Sequence, residues 1–245
     1  MVKNNLKKEI FDRQIIEISK NNQNNQLLNR HKKILDYIYR YCNKNDYILD
    51  IGCFDGKILK TLEKSGYKNL YGLDFSDTAN KSFIGSKIYF KHYDIEQDKI
   101  PFKNKFDAII YTDVLEHLFS PEKTLSDIKN NLTKKGKIFF SVPNAGWFLN
   151  GILLSFFPSK LYLSTSFGPW GHSYHFTFYN LRKFAQDLGF KIIQLSGGKI
   201  DNYIFNTGIK KIIYEILLII IYPLTCIYPK IFSDHLFGIF ENTNT

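Results

Sequence analysis

The chain has 245 residues, 44% of them apolar and 23% charged, which is core material for one full domain and excludes a disordered, collagen-like or linker-like chain. Its 33 basic residues against 23 acidic ones leave a net charge of +10, but only four of the basic residues are arginine. The lysines are scattered rather than striped, which argues against a nucleic-acid partner.

Cys42, Cys53 and Cys226 are odd in number and far apart, so they form neither a disulfide framework nor a zinc knuckle and fit a reducing compartment. Lys3, Lys7, Lys8 and Glu9 precede any apolar run, so we expect no signal peptide and a cytoplasmic chain. Residues 1–20 predict a short helix and 21–26 a polar loop. Leu27, His31, Ile34, Leu35, Ile38 and Tyr39 recur at helical spacing, and residues 1–45 read as a helical extension. Strands follow at 46–51, 70–73, 87–92, 106–111, 137–142, 190–195 and 235–241. Helices are predicted over 54–66, from 76, over 122–132 and over 180–188. Apolar strands alternating with helices predict an α/β fold, a doubly wound, mostly parallel seven-stranded sheet covered on both faces. Ligands of such sheets bind beyond the carboxyl ends of the strands.

Asp50-Ile51-Gly52-Cys53-Phe54-Asp55-Gly56 closes the first strand and opens a helix. Gly52 and Gly56 permit a tight turn and close approach of a ligand. Asp74 follows the second strand, where an acid accepts hydrogen bonds from ribose hydroxyls. A dinucleotide site needs glycine where Phe54 stands, and Asp50 and Asp55 would repel a pyrophosphate. A nucleoside bearing a cationic amino acid fits better. Asp94 follows the third strand and also falls on the rim.

On these residues the chain resembles the class I S-adenosylmethionine-dependent methyltransferases, the bacterial methyltransferase-domain group. The resemblance runs through Gly72-Leu73-Asp74-Phe75, Tyr93-Asp94-Ile95, residues 106–118 and the turn at 132–137. It implies a Rossmann-like domain over 46–245, its last strand antiparallel, with insertions near 145–178 and 199–232. It implies S-adenosylmethionine as cofactor, held by Asp50, Gly52, Cys53, Gly56, Asp74, Phe75, Asp94, Ile95, Thr112 and Asp113. Where the family has glycine in the loop, this chain has Phe54.

If a helix begins near Asp113, Asp113 and Glu116 share a face, and His117 is a candidate general base. Two acids and a histidine are also a donor set for a divalent ion. The set is similar to an acid-x-x-Glu-His metal set in ubiquinone-biosynthesis O-methyltransferases, with Asp113 in place of the usual Glu. We assign no metal here. Polar atoms of 141–145 are expected to line the acceptor pocket. His172 and His175 are the preferred base or acceptor-orienting pair, so the catalytic candidates are His117, His172 and His175. Thr177 is expected to cap the next helix.

Residues 147–163 and 212–229 carry one charge each, Lys160 and Glu215. Pro223 and Pro229 argue against a span. These segments read as lids over the acceptor or as contacts with a partner subunit, such as a homodimer. A surface peripheral to the membrane is the alternative. The expected acceptor is a small-molecule, glycan or lipid-linked precursor methylated at oxygen, since residues 112–115 lack the Pro-Pro of many base amino methyltransferases. The alternatives are a nucleic-acid or protein methyltransferase and a non-catalytic binding protein.

Overall fold

The computed structural model describes residues 27–96, 100–156, 172–198, 219 and 223–243. The helix read over 1–20, the loop at 21–26 and most of both apolar segments lie outside the described residues. In chain order the elements are α1 (Asn29–Tyr41), β1 (Tyr47–Ile51), α2 (Lys57–Lys64), β2 (Asn69–Asp74), α3 (Asp77–Ser82), β3 (Tyr89–His92) and β4 (Phe106–Thr112). After a 3-10 turn at Leu115–His117 come α4 (Pro121–Lys129), β5 (Leu132–Pro143), α5 (Phe148–Phe156), α6 (Phe178–Asp187), β6 (Phe190–Gly197), α7 (Pro229–Phe232) and β7 (His235–Asn242).

The seven strands form one sheet in the order β3-β2-β1-β4-β5-β7-β6. All pairings are parallel except those of β7, which runs antiparallel to both β5 and β6. β1 is nearly all apolar because the sheet is covered on both faces. Alternate residues feed two cores. Ile34 and Ile38 of α1 and Leu59 and Leu62 of α2 pack with Ile48, Ile110 and Phe139 on one face. Leu125 and Ile128 of α4 and Leu181 and Ala185 of α6 pack with Leu49, Ile109 and Phe140 on the other.

Two expectations change. Residues 132–137 are the start of β5, not a turn: Leu132 pairs with Phe106, the register then shifts, and Lys137 pairs with Ala108. Only Leu132 and Gly136 are buried there, so the lysines masked the strand. No helix begins at Asp113, which has a left-handed φ of 54°. Asp113 and Glu116 therefore share no helical face. Thr177 does cap α6: its hydroxyl accepts the Asn180 N–H, and the Asn180 side chain accepts the Thr177 N–H. No helix among the described residues is long and apolar enough to cross a membrane.

The order reverses beside β1, whose neighbours β2 and β4 leave on opposite sides. The carboxyl ends of β1, β2, β4 and β5 share one rim with the start of antiparallel β7, and ligands bind at such a rim. The β5–β7 seam is tight. Gly238 faces Phe140, and a Cβ there would lie 2.1 Å from the Phe140 ring. Gly238→Ala is therefore expected to cost about 1–3 kcal/mol in denaturant unfolding, and Phe140→Leu in the same chain should recover much of it. A neutral Gly238→Ala would mean that the seam is looser than described.

Candidate active site

The loop after β1 is built by backbone groups. The Gly52 N–H donates to the Leu73 carbonyl at 2.8 Å, and the Gly56 N–H to the Cys53 carbonyl at 2.8 Å. Gly52 and Gly56 have φ of 72° and 73°. A Cβ on Gly52 would lie 2.5 Å from Val114, just past the end of β4, and one on Gly56 2.6 Å from the Phe83 ring. Phe54 is also left-handed, with φ 45°, which costs a non-glycine residue ~1–2 kcal/mol. Its N–H donates to Asp74 Oδ2 at 2.8 Å, and a hydrogen bond to a carboxylate returns a similar amount, ~1.5–3 kcal/mol.

Asp74 ties two strand ends together, since its Oδ1 accepts the Ser76 N–H at 2.8 Å. The Ser76 hydroxyl also bonds to this carboxylate, so of its roughly four lone-pair positions about one is left for a ligand. Asp50 is buried within β1, and burial, then the neighbouring Asp74 and Asp55, push its carboxyl well above the usual range. The Cys53 side chain is buried in the core, so only its backbone can serve a ligand. Asp94 accepts the Glu96 N–H at 3.0 Å, and Ile95 packs against the core nearby. Phe75 directly follows Asp74. The buried Thr112 hydroxyl has no hydrogen-bond partner among the described residues. A glycine cradle closed by Val114, an acid with a spare lone pair and an orphaned hydroxyl at one rim fit a nucleoside cofactor.

Asp113 is engaged from three sides. Arg30 Nε of α1 lies 2.8 Å from its carboxylate, the Ser141 hydroxyl donates to it at 2.5 Å, and His235 Nε2 is 3.8 Å away. Burial pushes this carboxyl up, but Arg30 and His235 outweigh it and hold it at about 2. His235 is held in turn by Asp234, 3.2 Å from Nδ1. Burial disfavours its imidazolium, yet Asp234 and Asp113 raise it to about 9. His31 lies beside this group, and burial, then Arg30, bring it to about 3.

The Ser173 and Tyr174 N–H groups donate to the Glu116 carbonyl at 2.7 and 3.1 Å, docking the loop that carries His172. The His117 and His172 rings meet edge to face with centroids 4.8 Å apart. One donor atom from each of Glu116, His117 and His172 lies within 4.8 Å of the others. His175 is exposed and outside this group. The metal set Asp113, Glu116 and His117 does not assemble, because the Asp113 carboxylate is spent on Arg30, Ser141 and His235. Nor does Asn144 line a pocket. It is fully buried, donating to the Ser233 carbonyl at 2.8 Å and accepting the Gly146 N–H at 3.0 Å.

Sequence reasoning missed Arg30, His31, Asp234 and His235. One signal was present. A cation in the first turn of α1, with no acid there, opposes the helix dipole and needs an outside partner.

The methyltransferase-domain family matches residues 22–195. The chain belongs to this family, as a class I S-adenosylmethionine-dependent methyltransferase. It is 30% identical over 102 residues to the tRNA U34 carboxymethyltransferase of Campylobacter fetus, covering 39% of this chain and 36% of that protein. It is 26% identical over 103 residues to the ubiquinone biosynthesis O-methyltransferase of Aromatoleum aromaticum, covering 40% and 44%. The match thus spans less than half the length of these relatives. Among solved structures, the complex between the Haloferax volcanii Trm112 methyltransferase activator and a methyltransferase matches at TM-score 0.67 and 16% identity, over 97% of this chain and 98% of that one. The family's cofactor is S-adenosylmethionine. The comparisons correct the expected partners. One relative acts on tRNA and one similar fold assembles with a protein activator, so scattered lysines were no ground for setting nucleic acid aside, nor for limiting partners to a small acceptor, a membrane or a second copy.

Because His235 is raised to about 9 from 6.5, its stabilisation is full below pH 6.5 and is lost as pH rises through 9. His235→Gln is expected to lower stability by up to about 3 kcal/mol near pH 6, with the gap to the unsubstituted chain narrowing toward pH 9 in denaturant titrations. A gap independent of pH would contradict the protonated imidazole.

Proposed function

We propose that the chain transfers the methyl group of S-adenosylmethionine to an oxygen nucleophile on a small-molecule, glycan or lipid-precursor acceptor. The observation that carries this is the adjacency, around the end of β4, of the glycine cradle under Val114 and the titratable group of Glu116, His117 and His172. S-adenosylmethionine supplies a methyl group already activated on a sulfonium. The chain must therefore align the nucleophile and exclude water.

In this account the backbone of Gly52, Cys53 and Gly56 gives close approach, and Asp74 accepts from the ribose hydroxyls. Asp94 and Ile95 take the adenine, Phe75 flanks the ribose end, and Asp50 supports the loop from within β1. Thr112 offers its hydroxyl to the ligand, while Asp113 holds the pocket wall. A hydroxyl acceptor must lose a proton, and His117 and His172 are the groups nearest to take it. His175, exposed on the same loop, orients the acceptor from outside. Thr112-Asp113-Val114-Leu115 lacks the Pro-Pro of base amino methyltransferases, which supports oxygen. A second reading, an RNA acceptor, is favoured by the tRNA-modifying relative and the net charge of +10.

Calorimetric titration with S-adenosylhomocysteine should give one site per chain, weakened at least ~10-fold in Asp74→Ala by loss of the hydrogen bonds to ribose. Transfer of labelled methyl to hydroxyl-bearing lipid or glycan precursors, but not to tRNA, would support the oxygen reading. Label in tRNA alone would replace it with the RNA reading. A folded chain that binds no cofactor would overturn both.

A further inference from the structure

We propose that Glu116, His117 and His172 bind one divalent ion of the first-row transition series, and that Asp113 is not a ligand. Asp113 was the obvious third donor by spacing, yet it is neutralised by Arg30 and His235 and bonded to Ser141. His172, 59 residues further along, takes its place.

Three observations support the site. The donor atoms of the three side chains already lie within 4.8 Å of one another. The His172 loop is fixed there by two hydrogen bonds from Ser173 and Tyr174 to the Glu116 carbonyl. Glu116 is 1% exposed, and neither of its carboxylate oxygens has a hydrogen-bond partner among the described residues. A buried carboxylate needs a counter-charge or a proton. Across the site, His117 Nε2 stands 4.0 Å from Glu116 Oε1, too far for a hydrogen bond and wide enough for an ion to draw the pair together. Ligands at ~2.1 Å from a tetrahedral ion stand about 3.4 Å apart, so the donors must close by about 1 Å.

The donor chemistry selects the ion. Two imidazoles and one carboxylate suit Zn2+, Co2+ or Fe2+, whereas Mg2+ favours oxygen ligands and retained water. Three protein ligands leave coordination positions open for water or an acceptor group. The cation site does not depend on the acceptor being an oxygen nucleophile.

The test uses the whole chain, stripped with chelator and titrated with Co2+, Zn2+ and Mg2+ by calorimetry and, for Co2+, visible absorption. S-adenosylhomocysteine is titrated in parallel. One Co2+ or Zn2+ per chain is expected, with d–d bands and no comparable Mg2+ binding. His172→Ala and Glu116→Gln should each weaken Co2+ binding at least ~10-fold, while His175→Ala stays within about threefold. His172 lies on a partly exposed loop, so its variant decides the matter if Glu116→Gln fails to fold. A chain that binds S-adenosylhomocysteine but neither Co2+ nor Zn2+ would overturn the cation site and leave methyl transfer standing. Equal loss in His175→Ala would reduce the binding to surface histidines.

Discussion

The ion-paired carboxylate of Asp113 is where the fold and the site meet. It sits directly after β4 in a left-handed conformation and is gripped by α1 through Arg30, by β5 through Ser141 and by β7 through His235. Those elements come from the beginning, the middle and the end of the described chain. A left-handed aspartate is tolerated only where its surroundings over-determine it, and here three partners do so. Its neighbour Val114 covers Gly52, so the grip on Asp113 also sets the roof of the loop after β1. An acid so fully paired is a poor base and a poor ligand.

The opposite side of the rim works by backbone rather than by charge. Phe54 adopts the conformation that glycine usually supplies and is retained there by its hydrogen bond to Asp74. The same carboxylate binds the Ser76 N–H, so one side chain fixes the ends of both β1 and β2. Strain at Phe54 and close contact at Gly52 are the local costs of a turn that a ligand can approach.

The alternating apolar strands and helices made the sheet legible, because a covered parallel sheet imposes a continuous apolar pattern. The loop at 52–56 and the acid at Asp74 were legible too, since their spacing follows from the turn and the next strand. The partners of Asp113 were not legible, because its identity as an acid says nothing of what neutralises it. Arg30, Ser141 and His235 are 83, 28 and 122 residues away from it in sequence, and only tertiary structure brings them together. The early start of β5 was hidden by exposed lysines on an edge segment whose only buried positions are Leu132 and Gly136. His117 and His172 were both singled out, but their meeting depends on backbone hydrogen bonds to the Glu116 carbonyl, which no composition reveals.

A double-mutant cycle on Arg30→Ala and Asp113→Asn, read by denaturant unfolding at pH 7, tests the junction most directly. A coupling of about 1–3 kcal/mol between the two positions is predicted, because each substitution removes the same partly buried ion pair. Additive effects within about 0.5 kcal/mol would contradict it, freeing Asp113 to act as a base or a ligand and removing α1 from the architecture of the site.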